Sequence, residues 1–426
     1  MEQTNPKYAA YIQILREELV PAMGCTEPIS IAYGAARGRE ILGGIPDQMV
    51  VEASGNIIKN VKSVVVPNTD GLRGIEAAAA AGVIAGRADL LLEVISQVTP
   101  EQQREIRQYL GSNPVQVLLL DGDLIFDIKL TLHKGDQEVK VRIANYHTNI
   151  VYLEHNGEVL LDLHVEADDE SGLTDRTLLT MADIYDFAQT VNLDDVREII
   201  GRQIDCNMAI SKEGLNHSYG ANIGRVIMDH SRPDDRIAKA KAAAAAGSDA
   251  RMGGCELPVI INSGSGNQGI TASVPVIVYG QEAGVSEDKL YRALVLSNLT
   301  AIHQKTGIGR LSAYCGAVSA GAAAGAGIAY LDGGGYDEVI HTVVNALAMV
   351  SGIICDGAKA SCAGKIAAAI DAGVMGYHMY QNGRQFYGGD GILSHGVEAT
   401  LSNVGRLGKT GMRSTDKEIL KIMLGQ

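Results

Sequence analysis

The chain has 426 residues, 46% hydrophobic and 20% charged, enough to bury a large core and to form more than one domain. A net charge of −14 argues against a nucleic-acid or anionic-membrane partner. With 50 Gly, no Trp and only 3 Phe, the core must be packed from Ala, Val, Ile and Leu with backbones in close approach.

The first segment reads as a helix, with apolar residues at helical spacing over 8–19 and a stop at Pro21. Its scattered charges do not fit an export signal, so a cytoplasmic location is expected. A second helix follows Pro28 and ends at Gly43–Gly44, which places MGCTEP (23–28) in the loop feeding a helix N-terminus. From Met49 the pattern turns to strand-like runs, MVVEAS and VKSVVVP, then to an Ala-rich helix over 75–85 and another to about Leu110. Strands return in VQVLLL, LIFDIKLTLHK, EVKVRIAN and NIVYLEH, with turn signals at Lys134-Gly135-Asp136 and His155-Asn156-Gly157. After about Ser171 the strand pattern fades, and helical patterns run from Leu178 onward, broken by Gly-rich loops at 263–269, 332–335 and 382–391. The uncharged run over 316–331 is shorter than the roughly 20 residues of a membrane span and is dominated by small residues, so a buried helix is expected.

The expected architecture is α+β. A helical segment over 1–45 precedes an α+β domain with an antiparallel sheet over 46–172, and a mostly helical catalytic domain fills 173–426.

Six Cys without an export signal point to reduced thiols, metal ligation or catalysis and away from disulfides. Cys355 and Cys362 lie six residues apart with a Gly between them, and Cys315 precedes a small-residue run. Their spacing matches no familiar cluster pattern, so ligands and small buried hydrophobes both remain open readings. Cys25 follows a Gly at a helix entry, where a thiol is favoured as thiolate, although Glu27 pushes the other way. SGSGNQG (263–269) exposes backbone N–H groups and small polar side chains suited to a carboxylate or phosphate. It lacks the Lys of a phosphate-binding P-loop and the spacing of a dinucleotide fingerprint. His147 and Asn149, in HTN at a strand edge, are lesser candidates.

GCTEPIS, HTNIV, SDARMGG, NSGSGNQGI, RLSAYCGA and SGIICDGAKASCA follow one another in an order that closely resembles the L-cysteine desulfidases, a family related to the alpha chain of iron–sulfur L-serine dehydratases. The resemblance spans essentially the whole chain. It implies a [4Fe–4S] cluster on Cys315, Cys355 and Cys362, with Cys25 as catalytic base or as a fourth, displaceable ligand. It also places Cys206 at a family position without a chemical role and leaves Cys255 outside the site. The implied reaction is elimination of hydrogen sulfide from L-cysteine to give pyruvate and ammonia, with Ser265, Asn267, Gln268, His147 and Asn149 around the amino acid. The expected partners are this small substrate and further copies of the chain, with no nucleic acid and no membrane. L-serine dehydratase is the nearest alternative, because the same cluster could activate a hydroxyl. A pyridoxal-phosphate lyase lacks a convincing Schiff-base Lys, and a cluster-carrying redox sensor would leave the Gly-rich loop without a purpose.

Overall fold

The computed structural model describes residues 1–112, 114–166 and 172–425, so the expected change of pattern at Ser171 lies outside the described residues. Helix α1 (Pro6–Glu18) starts with Asn5 accepting from Lys7 N and with Pro at its first position. The short strand β1 (Pro21–Met23) follows. Helix α2 (Thr26–Leu42) ends on Gly43 in the left-handed conformation, the cap expected of the glycine pair.

A six-stranded sheet comes next, built from β2 (Gln48–Ala53), β3 (Val115–Leu119), β4 (Asp127–Lys134), β5 (Gln137–Ala144), β6 (Ile150–His155) and β7 (Glu158–Asp162) in the order β3-β2-β4-β5-β6-β7. It is a mixed sheet. β2 and β3 run parallel, Met49 opposite Val115, and every other pair is antiparallel. The parallel pair arises because α3 (Gly55–Val61), α4 (Gly74–Ala85) and α5 (Pro100–Gly111) form a crossover between the two strands, as parallel neighbours require. VKSVVVP does not form a strand. Val61 closes α3, and Val64 and Val66 are buried in the core around a single bridge from Val65 to Arg73. Helix α2 lies on the sheet through Gly34 and Gly38, where a Cβ would come within 2.7 Å of Leu130 and 2.8 Å of Leu132.

The remaining helices are α6 (Met181–Thr190), α7 (Arg197–Asn216), α8 (Ile223–Asp229), α9 (Arg236–Met252), α10 (Gly266–Ala283), α11 (Glu287–Ile308), α12 (Gly316–Leu331), α13 (Tyr336–Val350), α14 (Ser361–Gln381), α15 (Val397–Arg406) and α16 (Arg413–Leu424), with one short strand, β8 (Pro258–Ile260), before α10. The Gly/Ala run forms α12, buried almost throughout and packed against α10, α11, α13 and α14. Gly321 and Gly325 let its backbone touch that of α14, since a Cβ at either would stand 2.6 Å from Ala369 or Gly373 backbone atoms. Among the described residues no helix is long and apolar enough to cross a membrane. One apolar core runs from Tyr8 through the sheet to Val404, so the cleft described next is framed from both parts of the fold.

Candidate active site

Strand β1 pairs antiparallel with β8, Pro21 opposite Ile260, which ties the segment carrying GCTEP to the segment carrying SGSGNQG. Thr26 Oγ1 then donates to Gly264 O at 2.8 Å, joining the two loops directly. Four helices begin at the resulting cleft. Cys25 precedes α2, Ser265 precedes α10, Cys315 precedes α12, and Cys362 stands in the first turn of α14. None of the four capping positions, Cys25, Ser265, Cys315 and Ala360, closes its helix with a side-chain hydrogen bond. Four uncapped N-termini on one space make it strongly receptive to anions.

The cleft encloses about 90 Å³, several times the ~10–15 Å³ that one water occupies, and so suits a small ligand. A larger chamber of about 470 Å³ adjoins it and shares Lys305, Arg310 and Leu311 with its wall.

All three expected ligand cysteines line the cleft, and so does Cys25. Cys315 and Cys355 sit on segments whose backbones pair around Tyr314 and Ile354, Cys355 N donating to Ala313 O at 2.6 Å and Cys315 N to Ile353 O at 3.2 Å. Burial pushes the Cys315 thiol up to about 12, and the neighbouring Cys355 and Cys362 add to the effect. Among the described residues no group of three His, Cys, Asp or Glu is arranged to share a single metal ion. Cys206 and Cys255 do not line the cleft.

Cys25 is a buried thiol that donates to Glu27 Oε2 at 2.9 Å. Its surroundings work against the thiolate expected from its place at a helix entry. Burial raises its pKa well above the ordinary thiol value, and the Glu27 charge raises it further, against a smaller opposing pull from Arg251. Burial would also raise the Glu27 carboxyl, but its partners outweigh that and hold it below its ordinary value. Asn60 Nδ2 donates to Glu27 Oε1 at 2.9 Å, and Thr26 Oγ1 lies 3.2 Å from Oε2.

SGSGNQG places Ser265, Asn267 and Gln268 in the cleft wall. Asn267 Oδ1 and Gln268 Oε1 are buried without a hydrogen-bond partner, as are Asn60 Oδ1 and Arg251 Nε on the same wall. Buried polar atoms are seldom left so, and four around one cavity mark a place built to receive a polar ligand. His147 stands behind this loop, where a Cβ on Gly264 would meet its Cε1 at 3.0 Å. Burial pushes the imidazole down to about 4, so it is neutral at pH 7, with Nε2 unpartnered. Neither His147 nor Asn149 lines the cleft; Asn149 donates its amide to Ala144 O and shapes the turn between β5 and β6.

Asn60, Arg251 and Lys305 reach the wall from α3, α9 and α11 without having stood out as site residues in the sequence. Arg251 is a charge that follows a long run of small residues in a buried helix, and that misplaced charge is a signal that could have exposed it, whereas Lys305 lies among polar neighbours and carries no such mark.

Residues 89–421 match the family model described as serine dehydratase alpha chain. The matched region contains Cys315, Cys355, Cys362 and the SGSGNQG loop, whereas Cys25 precedes it. A UPF0597 protein of Desulfitobacterium hafniense is 60% identical over 426 residues, covering 100% of this chain and 99% of its own. A second, from Treponema denticola, is 50% identical over 429 residues and covers 100% of both chains. A third, from Fusobacterium nucleatum, is 45% identical over 422 residues, 98% of this chain and 99% of its own.

Proposed function

The chain belongs to the serine dehydratase alpha chain family, and from that membership we propose a lyase that eliminates hydrogen sulfide from L-cysteine, leaving pyruvate and ammonia. The observation that carries this reading is the convergence of Cys25, Cys315, Cys355 and Cys362 on one small cleft ringed by helix N-termini.

Three thiols on that wall, two of them on paired backbone segments, form a donor set that fits a [4Fe–4S] cluster. Held by Cys315, Cys355 and Cys362, such a cluster would supply a Lewis-acidic iron with an open position. The protein's own part is to hold the amino acid and move its proton. Ser265, Asn267 and Gln268 meet the polar end of the substrate with groups not spent on local structure. Cys25 takes the α-proton, and the proton it must first lose has an acceptor in place, Glu27 Oε2 at 2.9 Å. Loss of the α-proton and of HS⁻, which leaves as hydrogen sulfide, gives 2-aminoacrylate. This tautomerises and takes up water to yield pyruvate and ammonia.

L-Serine is the second reading, favoured by the family description itself. Anaerobically reconstituted protein offered each amino acid, with sulfide, pyruvate and ammonia measured, separates the two. Cysteine should be preferred in kcat/KM by about tenfold or more. The reverse preference makes the protein a serine dehydratase, and reconstituted protein that turns over neither amino acid ends both readings.

A further inference from the structure

SDARMGG supplies a feature that the proposed chemistry leaves unexplained. Arg251, near the end of α9, is 3% exposed and lines the cleft, yet no side-chain hydrogen bond or ion pair joins it to another described residue. A buried guanidinium without a partner is costly, and buried charges are normally paired. Its position sharpens the anomaly. A Cβ on Gly266, the first residue of α10, would lie 2.3 Å from Arg251 Nε and 2.8 Å from Cζ, so the cation lies directly against the positive end of that helix. Glu27, the carboxylate that shares the cleft wall with it, has both oxygens engaged by Cys25, Thr26 and Asn60. Like charges are thus stacked around an open space, and a bound anion is what would neutralise them.

The geometry points to Arg251, together with the N-terminus of α10, as the receptor for the substrate's α-carboxylate. The guanidinium fork matches a carboxylate in two parallel hydrogen bonds, and the helix end adds backbone donors. Arg251 shares the cleft wall with Cys25 and Glu27 as well as with Cys362, which sets the carboxylate between the proton-accepting side and the cluster side of the cleft. Asn267 and Gln268 are then free to accept from the ammonium group, for which carbonyl oxygens are suited and a guanidinium is not. This assignment rests on the proposed amino-acid lyase reading and names the group that selects a free α-carboxylate.

The test is calorimetric binding of L-alanine, which has the carboxylate and ammonium but no leaving group, against L-alaninamide, on anaerobically reconstituted wild type, Arg251→Gln and Arg251→Lys. Wild type should bind L-alanine and discriminate strongly against the amide. Arg251→Gln should lose on the order of 10² in L-alanine affinity, the scale of a lost buried charge contact, with unchanged iron per chain. Arg251→Lys should recover part of that loss. L-alanine affinity unchanged in Arg251→Gln, or equal binding of acid and amide by wild type, overturns the assignment. Loss of iron in Arg251→Gln also overturns it, making Arg251 a counter-charge for the cluster thiolates. Should Arg251→Gln not fold, Arg251→Lys decides, since wild-type affinity there contradicts a fork-shaped contact. A wild type that binds L-alanine but turns over neither cysteine nor serine sinks the proposed reaction and leaves the comparison intact.

Discussion

Lys59 Nζ lies 2.5 Å from Asp416 Oδ1, and this pair joins the C-terminal helix α16 to both cysteine-bearing loops. Lys59 also donates to Cys355 O at 3.2 Å, while Asp416 Oδ2 accepts from Ala313 N at 2.9 Å, two residues before Cys315. The pair therefore positions the backbone beneath two of the thiols. Lys59 is 2% exposed, so removing its partner strands a buried ammonium.

Asp416→Ala should lower the unfolding free energy by about 3 kcal/mol, the scale of a broken buried ion pair. It should also lower iron retention on reconstitution. Urea denaturation of the apoprotein and iron per chain read the two effects separately. Unchanged iron would show that the clamp steadies the fold alone.

Cys25→Ser should keep its cluster and lose turnover by roughly 10²–10⁴, the usual worth of a positioned general base. Iron analysis with anaerobic kinetics checks this. If the variant cannot hold a full complement of iron, Cys25 is a fourth ligand and the base must be sought elsewhere.

Gly266→Ala should disable the cleft without unfolding the protein. The added methyl would fall on Arg251, whose long side chain can swing aside, and within 2.7 Å of Val259 Cγ2, which is buried and stiff, so the expected loss is at least about tenfold in apparent affinity for the amino acid, with a melting temperature that is lowered but a chain that still folds. Wild-type kinetics in this variant would mean that the position of the guanidinium does not matter.

The pH dependence of stability carries a signature of Asp249. Burial raises its pKa from 3.8 to about 6, although its Oδ2 accepts from Gly224 N at 3.0 Å. The folded chain therefore binds the proton more tightly than the unfolded chain. The resulting stability is fully present below about pH 4 and is lost as pH rises through about 6. Asp249→Asn keeps an acceptor for Gly224 and should remove this contribution. The variant-minus-wild-type stability difference should then grow more favourable to the variant by up to about 2 kcal/mol between pH 4 and pH 7. A flat difference across that range would show that Asp249 titrates as an ordinary carboxylate.

Local punctuation was readable from the sequence. The stop of α2 at Gly43, the hairpin at Asn156-Gly157 and the burial of α12 all follow from residue types whose backbone or packing preference is strong. VKSVVVP departs from the expected strand because a short apolar run looks the same in a strand and in a buried helix end. The parallel pairing of β2 with β3 was not foreseen because its cause is a crossover through α3, α4 and α5, and no local pattern shows which strands meet. At the site, GCTEP and SGSGNQG were visible as helix-entry loops. The cysteine trio came from family resemblance and not from spacing. Lys305 and Asn60 have no local signature, because only the tertiary fold brings α11 and α3 to the wall that Arg251 shares.

The glycines of α12 have a mechanical consequence at the cleft. Cys315 heads α12 and Cys362 lies in the first turn of α14, and lower down these two helices touch backbone to backbone at Gly321 with Ala369 and at Gly325 with Gly373. Contact of that kind leaves no compressible layer of side chains between the rods. A methyl group at position 325 would act as a wedge, and the rigid helices would carry its displacement to their mouths as a wider gap between the two sulfurs. A stretch of chain with no reactive atom thus serves as the gauge block that sets the bore in which the thiols stand.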